Sequence, residues 1–227
     1  MPRAFLFDID NTLLWSGGAG GRAMNIAFRD MFGIEDGFAR VEFSGRTDRT
    51  IFIFAEGLRQ HGVQGDKSAL LREFMERYHA LLPRTLRETE GRLMPGFPQL
   101  LEALSARPHV RLGLATGNFR QGGYLKLAHY GLDSFFPNGG FGEESEDRAD
   151  IVRLAMERVA GGAHPRDVLV IGDTPHDVAS ALANGVIAVG VATGSHSVED
   201  LKAAGAHLVF TDFSDWRSAA AKLLARA

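Results

Sequence analysis

Two aspartates follow the first apolar run of the chain, with one residue between them. The run at residues 4–7 is typical of a buried strand, and Asp8 and Asp10 come directly after it. Because side chains alternate along an extended chain, Asp8 and Asp10 face one side while Ile9 packs into the protein. Two carboxylates at this spacing suit a divided chemistry, in which one attacks a phosphorus atom and the other exchanges protons with the leaving oxygen and the attacking water.

Polar residues also follow two later apolar runs, at 110–115 and 168–171. They are Thr116, Gly117 and Asn118 after the first run, and Asp173 and Asp177 after the second. In an open parallel sheet, ligands bind beyond the carboxyl ends of the strands. We therefore expect these residues to meet Asp8 and Asp10 at one edge of a sheet.

Four carboxylates at one edge need a compensating charge, because mutual repulsion raises the pKa of each acid. A divalent cation with oxygen ligands supplies it, and Mg²⁺ takes a few carboxylates together with water and phosphate. One alternative stays open: Thr174 can cap a helix that has Pro175 in its first turn, with Asp177 as the capping-box partner. That alternative does not explain Asp173.

Residues 92–227 alternate short apolar runs with helical periodicity. Candidate strands lie at 110–115, 168–171, 186–191 and 208–210, and candidate helices at 97–106, 121–131, 148–160, 176–184, 197–204 and 214–226. This alternation predicts an α/β fold, a doubly wound parallel sheet covered on both faces, to which the first apolar run also belongs.

Residues 15–91 have a different pattern. A glycine-rich segment at 17–21 is followed by apolar residues at helical spacing, which predicts a helical insert after the first strand. The expected organisation is an α/β core of residues 1–14 and 92–227 interrupted by this insert.

The amino-acid composition limits the classes of function that the protein can have. The chain has 227 residues and a net charge of −3, which argues against a general nucleic-acid or membrane-surface role. It has no cysteine, which excludes disulfide and thiolate chemistry and is compatible with a reducing cytosol. No apolar window reaches the ~18 residues of a membrane span. We expect a cytoplasmic monomer or homodimer.

The whole chain resembles the haloacid dehalogenase (HAD) superfamily, specifically its phosphatase branch with a helical cap. The motifs are FDIDNTL at 7–13, LATGN at 114–118 and VIGDTPHD at 170–177. They match, in order, the hydrophobic-Asp-x-Asp-x-Thr-hydrophobic motif, a strand ending in Thr or Ser, and two acids separated by three residues. The resemblance implies a Rossmann-like core and makes 15–91 the cap that closes over the site.

The resemblance also implies roles for the four acids. Asp8 would be the nucleophile and a Mg²⁺ ligand. Asp10 would be the general acid/base, and its backbone carbonyl would also reach the metal. Asp173 would bind Mg²⁺ directly, and Asp177 directly or through a water molecule.

Thr116 would hold the transferring phosphoryl oxygens by the same resemblance, together with the backbone N–H groups near Gly117 and Asn118. The family's third motif, a lysine at a helix start that anchors the phosphate, is missing, because residues 141–151 contain no lysine. Arg148 stands near that position and can supply the charge.

Two alternatives to this assignment of Arg148 stay open. Arg148 can be a surface helix residue paired with Glu144 or Asp147. Lys126 is the other candidate for the anchoring role, but we rank it lower because its place in a helix predicts a solvated side chain.

Substrate contacts from the cap are expected in the segment 44–49, where Arg46 can reach an anionic group. Arg22 is a second candidate of the same kind. The alternative is structural, with Thr47 or Asp48 as a helix N-cap and the arginines exposed.

These observations predict a Mg²⁺-dependent phosphomonoester hydrolase for a small phosphorylated metabolite, most like phosphoglycolate phosphatases. A phosphomutase or a dehalogenase is the alternative within the superfamily, although a dehalogenase needs no leaving-group acid such as Asp10. The non-enzymatic alternative is a phospho-acceptor switch, against which the general acid and the cap both argue.

Overall fold

A computed structural model of the protein describes residues 3–38, 41, 43–53 and 62–225. The strands are β1 (Arg3–Phe7), β2 (Leu14–Trp15), β3 (Arg92–Leu93), β4 (Val110–Ala115), β5 (Gly139–Gly140), β6 (Val168–Gly172), β7 (Ile187–Val191) and β8 (Leu208–Phe210). The α-helices are α1 (Ala19–Phe32), α2 (Asp48–Ile53), α3 (Lys67–Glu88), α4 (Gln99–Ser105), α5 (Arg120–His129), α6 (Arg148–Val159), α7 (Pro175–Ala183), α8 (Val198–Ala203) and α9 (Trp216–Ala225). No helix in these ranges is long and apolar enough to cross a membrane.

Six strands form one parallel sheet in the order β5-β4-β1-β6-β7-β8. β1 lies between β4 and β6, with Phe7 opposite both Leu114 and Ile171. Every residue of β6 is buried, as expected for a strand that is covered on both faces. The carboxyl ends of β1, β4 and β6 are therefore neighbours, and these are the three strands that the sequence motifs follow.

Alternate residues of β1 enter two different cores. Phe5 and Phe7 pack in a cluster with buried residues of α4, α5 and α9. Ala4 and Leu6 pack in another cluster with buried residues of α6, α7 and α8. Helices thus cover both faces of the sheet, and the predicted doubly wound α/β fold is confirmed.

The helices α1, α2 and α3 surround a third cluster of buried side chains. Within it, the rings of Phe52 and Phe74 stack with centroids 4.2 Å apart. The chain enters this helical region through β2 and leaves it through β3, which pair antiparallel with Leu14 opposite Leu93. This separate cluster supports the predicted division of the chain into a core and a cap at 15–91. The division itself stays a prediction. Residues 39, 40, 42 and 54–61 of that cap, and 1, 2, 226 and 227 of the core, lie outside the described residues.

Candidate active site

The turn after β1 brings Asp8 and Asp10 to the edge of the sheet. The N–H of Asp8 donates to a carbonyl of β6 at 2.9 Å, so the strand pairing continues to this residue. Asn11 then adopts a left-handed conformation with φ of 57°, which asparagine tolerates better than most residues. Its N–H donates to the carbonyl of Leu14 at 2.7 Å and closes the turn. Ile9 is fully buried, as its alternation with the two aspartates predicts.

Three carboxylates converge at the carboxyl ends of β1 and β6. One oxygen each of Asp8, Asp173 and Asp177 lies within 4.8 Å of the others. Oδ1 of Asp173 accepts a hydrogen bond from the Thr12 hydroxyl at 3.3 Å. Oδ2 of Asp173 is buried and has no hydrogen-bond partner in the described part of the chain. An unpartnered buried carboxylate oxygen is costly, and a cation bound beside it would supply the missing partner.

Burial and mutual repulsion disfavour negative charge on these acids. Burial, and next the carboxylate of Asp177, raises the pKa of Asp8 to about 7, although Arg148 opposes the rise. The same causes, burial first and then Asp177 and Asp8, raise the pKa of Asp173 to about 9. A divalent cation among them would offset the repulsion and give the free oxygen of Asp173 a partner, so these residues fit Mg²⁺.

Asp177 has a capping role as well as its place in this group. Its Oδ2 accepts hydrogen bonds from the N–H of Thr174 at 3.1 Å and from the Thr174 hydroxyl at 2.7 Å. The reciprocal bond completes a capping box at the start of α7, with Pro175 in the first turn. The structural alternative for Asp177 is therefore confirmed, and its proposed role at a metal ion stays a prediction.

Arg148 is the first residue of α6, where Asp147 caps the helix. The Arg148 side chain is 12% exposed, and its Nη2 lies 3.6 Å from Oδ1 of Asp8. The same nitrogen contacts Oδ1 of Asp177. The alternative of a surface arginine paired with Glu144 or Asp147 is wrong, because Arg148 lies in the acidic group, Glu144 pairs with other arginines and the Asp147 carboxylate caps α6.

Lys126 is buried, so the expectation of a solvated helix residue is wrong. Its Nζ donates to Oδ2 of Asp10 at 2.5 Å and to Oδ1 of Asn118 at 2.6 Å. A helical side chain leans toward the preceding turn, and on this buried face of α5 the preceding turn holds Gly122 and Gly123. At these two glycines a Cβ atom would meet Tyr78 and Ile9, each at 2.9 Å, so they make room for those side chains. The glycine beside the lysine amine is Gly20 of α1, where a Cβ atom would lie 3.4 Å from Nζ of Lys126.

Asn118 connects the second motif to the first. Its Nδ2 donates to Oδ2 of Asp10 and to the hydroxyl oxygen of Thr116, both at 2.9 Å. Thr116 is fully buried. At Gly117 a Cβ atom would lie 2.4 Å from the carbonyl oxygen of Arg46, so glycine allows this loop to approach the helical region.

Asp48 is a buried carboxylate at the start of α2 that sequence reasoning treated only as a helix cap. Its N–H donates to the carbonyl of Gly117 at 2.7 Å, and its Oδ2 accepts the N–H of Phe119 at 2.9 Å. Burial raises the pKa of Asp48 to about 7, against the effect of Lys126. The cap itself is Thr47, whose hydroxyl accepts an N–H of the first turn at 3.0 Å. Asp48 thus joins the helical region to the loop after β4.

The loop after β7 lies against the acidic group. The hydroxyl of Thr193 donates to the carbonyl of Asn11 at 2.5 Å. At Gly194 a Cβ atom would lie 1.9 Å from Oδ2 of Asp173. A side chain at this position would therefore occupy the space beside the free carboxylate oxygen.

A cavity of about 390 Å³ lies over these residues. Asp8, Asp10, Gly117, Asn118, Arg148 and Asp173 line it, as do Lys126 and Asp48. Arg46 is exposed and also lines the cavity, so its predicted contact with the substrate stays a prediction. Arg22 is not brought to the cavity; it is exposed and pairs with Glu88 at 3.0 Å.

A comparison with protein-family models matches residues 2–185 to the model of haloacid dehalogenase-like hydrolases. Over 95% of its length, the chain is 30% identical to "Phosphoglycolate phosphatase" of Rhodospirillum rubrum, and the match covers 91% of that protein. It is 29% identical to "Probable phosphatase IndB" of Dickeya dadantii over 62% of this chain and 61% of that protein. It is 32% identical to "5'-nucleotidase" of Pseudomonas aeruginosa over 50% of this chain and 52% of that protein. The chain thus spans less than two thirds of the last two relatives.

Solved structures share the fold. A "predicted phosphatase from Clostridium acetobutylicum" superposes with a TM-score of 0.72 at 23% identity and covers 99% of both chains. "CbbY from Rhodobacter sphaeroides in complex with phosphate" superposes with a TM-score of 0.72 at 23% identity, over 95% of this chain and 96% of that one. At these identities the likeness concerns the fold alone.

Proposed function

This chain belongs to the haloacid dehalogenase-like hydrolase family, and from that premise we propose that it is a Mg²⁺-dependent phosphomonoester hydrolase. In this proposal it acts on small phosphorylated metabolites through an aspartyl phosphate on Asp8. The relative named phosphoglycolate phosphatase supports the reaction class. We also propose a cytoplasmic location, with which the absence of cysteine is compatible.

The placement of Asp8 is the observation that supports this proposal most. Asp8 lines the cavity, its carboxylate lies within 4.8 Å of those of Asp173 and Asp177, and Arg148 lies 3.6 Å away. An anionic nucleophile can approach an anionic phosphoryl group only where positive charge offsets their repulsion. The neighbours of Asp8 provide an arginine and a set of metal ligands for that purpose.

In the first step, an oxygen of Asp8 attacks phosphorus and the bond from phosphorus to the leaving oxygen breaks. The leaving oxygen takes a proton from the carboxyl group of Asp10, and the alcohol departs. Arg148 and the backbone N–H groups of the loop at 116–118 stabilise the phosphoryl oxygens. Arg148 also fixes the orientation of the Asp8 carboxylate through their contact.

In the second step, Asp10 takes a proton from a water molecule that attacks the aspartyl phosphate, and the bond from phosphorus to Asp8 breaks. Inorganic phosphate leaves and Asp8 is regenerated. Lys126 and Asn118 both bind Oδ2 of Asp10. No hydrogen bond to Oδ1 of Asp10 is found among the described contacts, so this oxygen is available for proton transfer.

Asp8 and Asp173 would hold Mg²⁺ directly, together with the backbone carbonyl of Asp10. Asp177 would act through a water molecule, because both of its oxygens already accept hydrogen bonds from Thr174 and Arg148. When bound, Mg²⁺ supplies positive charge that offsets the repulsion between nucleophile and phosphate.

Phosphate release from p-nitrophenyl phosphate tests the proposal. We expect release that requires Mg²⁺ and stops on chelation, and no turnover by Asp8→Asn. Asp10→Asn should lower kcat but should still bind Mg²⁺, as measured by thermal shift. Asp30→Asn, at an exposed position on α1, is the control. Turnover by Asp8→Asn at the wild-type rate would refute the proposed nucleophile.

A further inference from the structure

The cavity has two walls of different chemistry. Among the described lining residues, each non-glycine residue of the wall formed by 1–14 and 92–225 is polar or charged: Asp8, Asp10, Asn11, Asn118, Lys126, Arg148, Asp173, Thr174 and Ser195. The wall formed by 15–91 contributes five apolar or aromatic side chains, Trp15, Met24, Phe43, Ile51 and Tyr78, beside four polar or charged ones, Ser16, Ser44, Arg46 and Asp48. All the apolar side chains of the cavity thus lie on one wall, which suits a ligand with a charged end and an apolar part.

Two aromatic side chains of the apolar wall are exposed. The relative exposures of Trp15 and Phe43 are 40% and 36%. Leu182, the third exposed large apolar residue in the described part of the chain, lies elsewhere. Exposed aromatic surface beside a polar site commonly marks a place where a partner binds.

Both aromatic rings are held in place from one side. The guanidinium carbon of Arg92 lies over the ring of Trp15, 4.7 Å from its centroid. Two ring atoms of Phe43 lie 3.9 Å from the Cβ position of Gly21, and its ring packs at 67° against that of Phe38. Rings fixed in this way lose little conformational entropy when they stack on a ligand, which favours binding.

Two of the three cationic side chains that line the described cavity are already paired with carboxylates, so they are not free to bind a second anionic group on the substrate. Lys126 pairs with Asp10, and Arg148 with Asp8 and Asp177. Among the described cations that line the cavity, only Arg46 has no acidic partner. The wall that faces the leaving group thus offers its apolar side chains together with one guanidinium, that of Arg46.

We infer that the leaving group carries an aromatic ring that stacks on Trp15 and Phe43, as the base of a nucleoside 5'-monophosphate would. The inference rests on the proposed phosphatase activity and specifies its substrate class. The phosphate would lie at the charged wall and the ring at the apolar wall. A volume of about 390 Å³ is within the range of pockets that enclose such ligands.

A matched pair of substrates isolates the contribution of the ring. AMP and ribose 5-phosphate share the phosphate, the sugar and the leaving oxygen, and differ by the base. We expect kcat/KM to be higher for AMP by about fivefold or more, the effect of one stacked base. Trp15→Ala and Phe43→Ala should lower kcat/KM for AMP by a larger factor than for ribose 5-phosphate, while Leu182→Ala, the exposed apolar control, should keep the advantage of AMP.

The inference is overturned if ribose 5-phosphate or 2-phosphoglycolate is hydrolysed as efficiently as AMP, or if the two variants slow both members of the pair equally. Failure of the proposed function is a separate result, namely no phosphate release from any ester, p-nitrophenyl phosphate included. A binding measurement tests the ring contact without activity. Trp216→Phe leaves Trp15 as the single tryptophan, and adenosine should quench its fluorescence. Absence of quenching would also overturn the inference.

Discussion

Nζ of Lys126 lies 2.5 Å from Oδ2 of Asp10, and Asn118 contacts both side chains. The three residues come from the turn after β1, the loop after β4 and the helix α5, so the contact is entirely tertiary. It fixes one oxygen of the proposed acid/base. Catalytic groups need this kind of support, because small displacements of a reacting atom cost large factors in rate.

Replacing Lys126 with methionine should lower kcat by about 100-fold, because the variant keeps most of the side-chain volume but cannot hold Asp10. Binding of Mg²⁺ should change less, since Lys126 donates to Asp10 and Asn118 and not to the carboxylates of the proposed metal site. Steady-state kinetics and a thermal-shift titration with Mg²⁺ measure the two effects. Lys202→Met, at an exposed position of α8, is the control. A wild-type kcat for Lys126→Met would contradict the positioning role.

Removal of Arg148 should affect both substrate binding and turnover. We expect Arg148→Ala to lower kcat/KM by about 100-fold, with a higher KM and a lower kcat, because the guanidinium faces Asp8, the proposed nucleophile. Arg148→Lys should recover only part of this, since an ammonium group cannot contact Asp8 and Asp177 with the same planar geometry. Arg153→Ala, an exposed position of the same helix, controls for helix stability. Unchanged kinetics in Arg148→Ala would move the phosphate-anchoring role to Lys126.

A side chain at position 194 should weaken metal binding. In Gly194→Ala the new Cβ would collide with Oδ2 of Asp173, so we expect the Mg²⁺ dissociation constant to rise about tenfold or more. Gly185→Ala is the control: its φ of +66° makes alanine unfavourable, but the Cβ would meet nothing within 4 Å. That variant should lose stability and keep its affinity for Mg²⁺. Equal affinities of the two variants in calorimetric titration would refute the predicted collision.

Stability should depend on pH through Asp48. Its pKa is raised from 3.8 to about 7 by burial, so between these values the folded protein holds a proton that the unfolded chain has released. The contribution of Asp48 to the free energy of unfolding therefore falls as pH rises through this window. Asp48→Asn lacks this contribution and can still accept the Phe119 N–H. The Tm of the wild type should thus decline relative to that of Asp48→Asn as pH increases.

Asp30→Asn supplies the comparison for this pH experiment, because Asp30 is exposed. Its Tm should follow that of the wild type across the same window. A constant Tm difference between wild type and Asp48→Asn at all pH values would contradict the prediction, because it would mean that the protonated and ionised forms of Asp48 give the folded protein the same stability.

The acids of the site were predictable because each follows a strand. Parallel strands end at one edge of the sheet, so Asp8 and Asp173 had to meet once the strands were recognised. Ile9 was predictable for the same local reason, the alternation of side chains. β5 was not predicted, since Gly139 and Gly140 have low β propensity and pair only because Leu114 and Ala115 lie beside them.

The cations and the link to the helical region were harder to predict. A lysine in a helix is normally solvated, and Lys126 is buried because Asp10 and Asn118 compensate its charge. Gly20, in the glycine-rich segment at 17–21, was the visible signal, because it lies beside the lysine amine. Asp48 left no such signal, because an acid in the first turn of a helix is common and its partners are backbone groups of a distant loop.

The short ladder between β2 and β3 places Trp15 opposite Arg92, so the polypeptide departs from and returns to the sheet at adjacent points. A segment of another length or shape could be grafted between these points without stretching β1 or displacing the acids beyond it. In evolution, replacement of the segment between β2 and β3 could then change the substrate while the acids beyond β1 keep their positions.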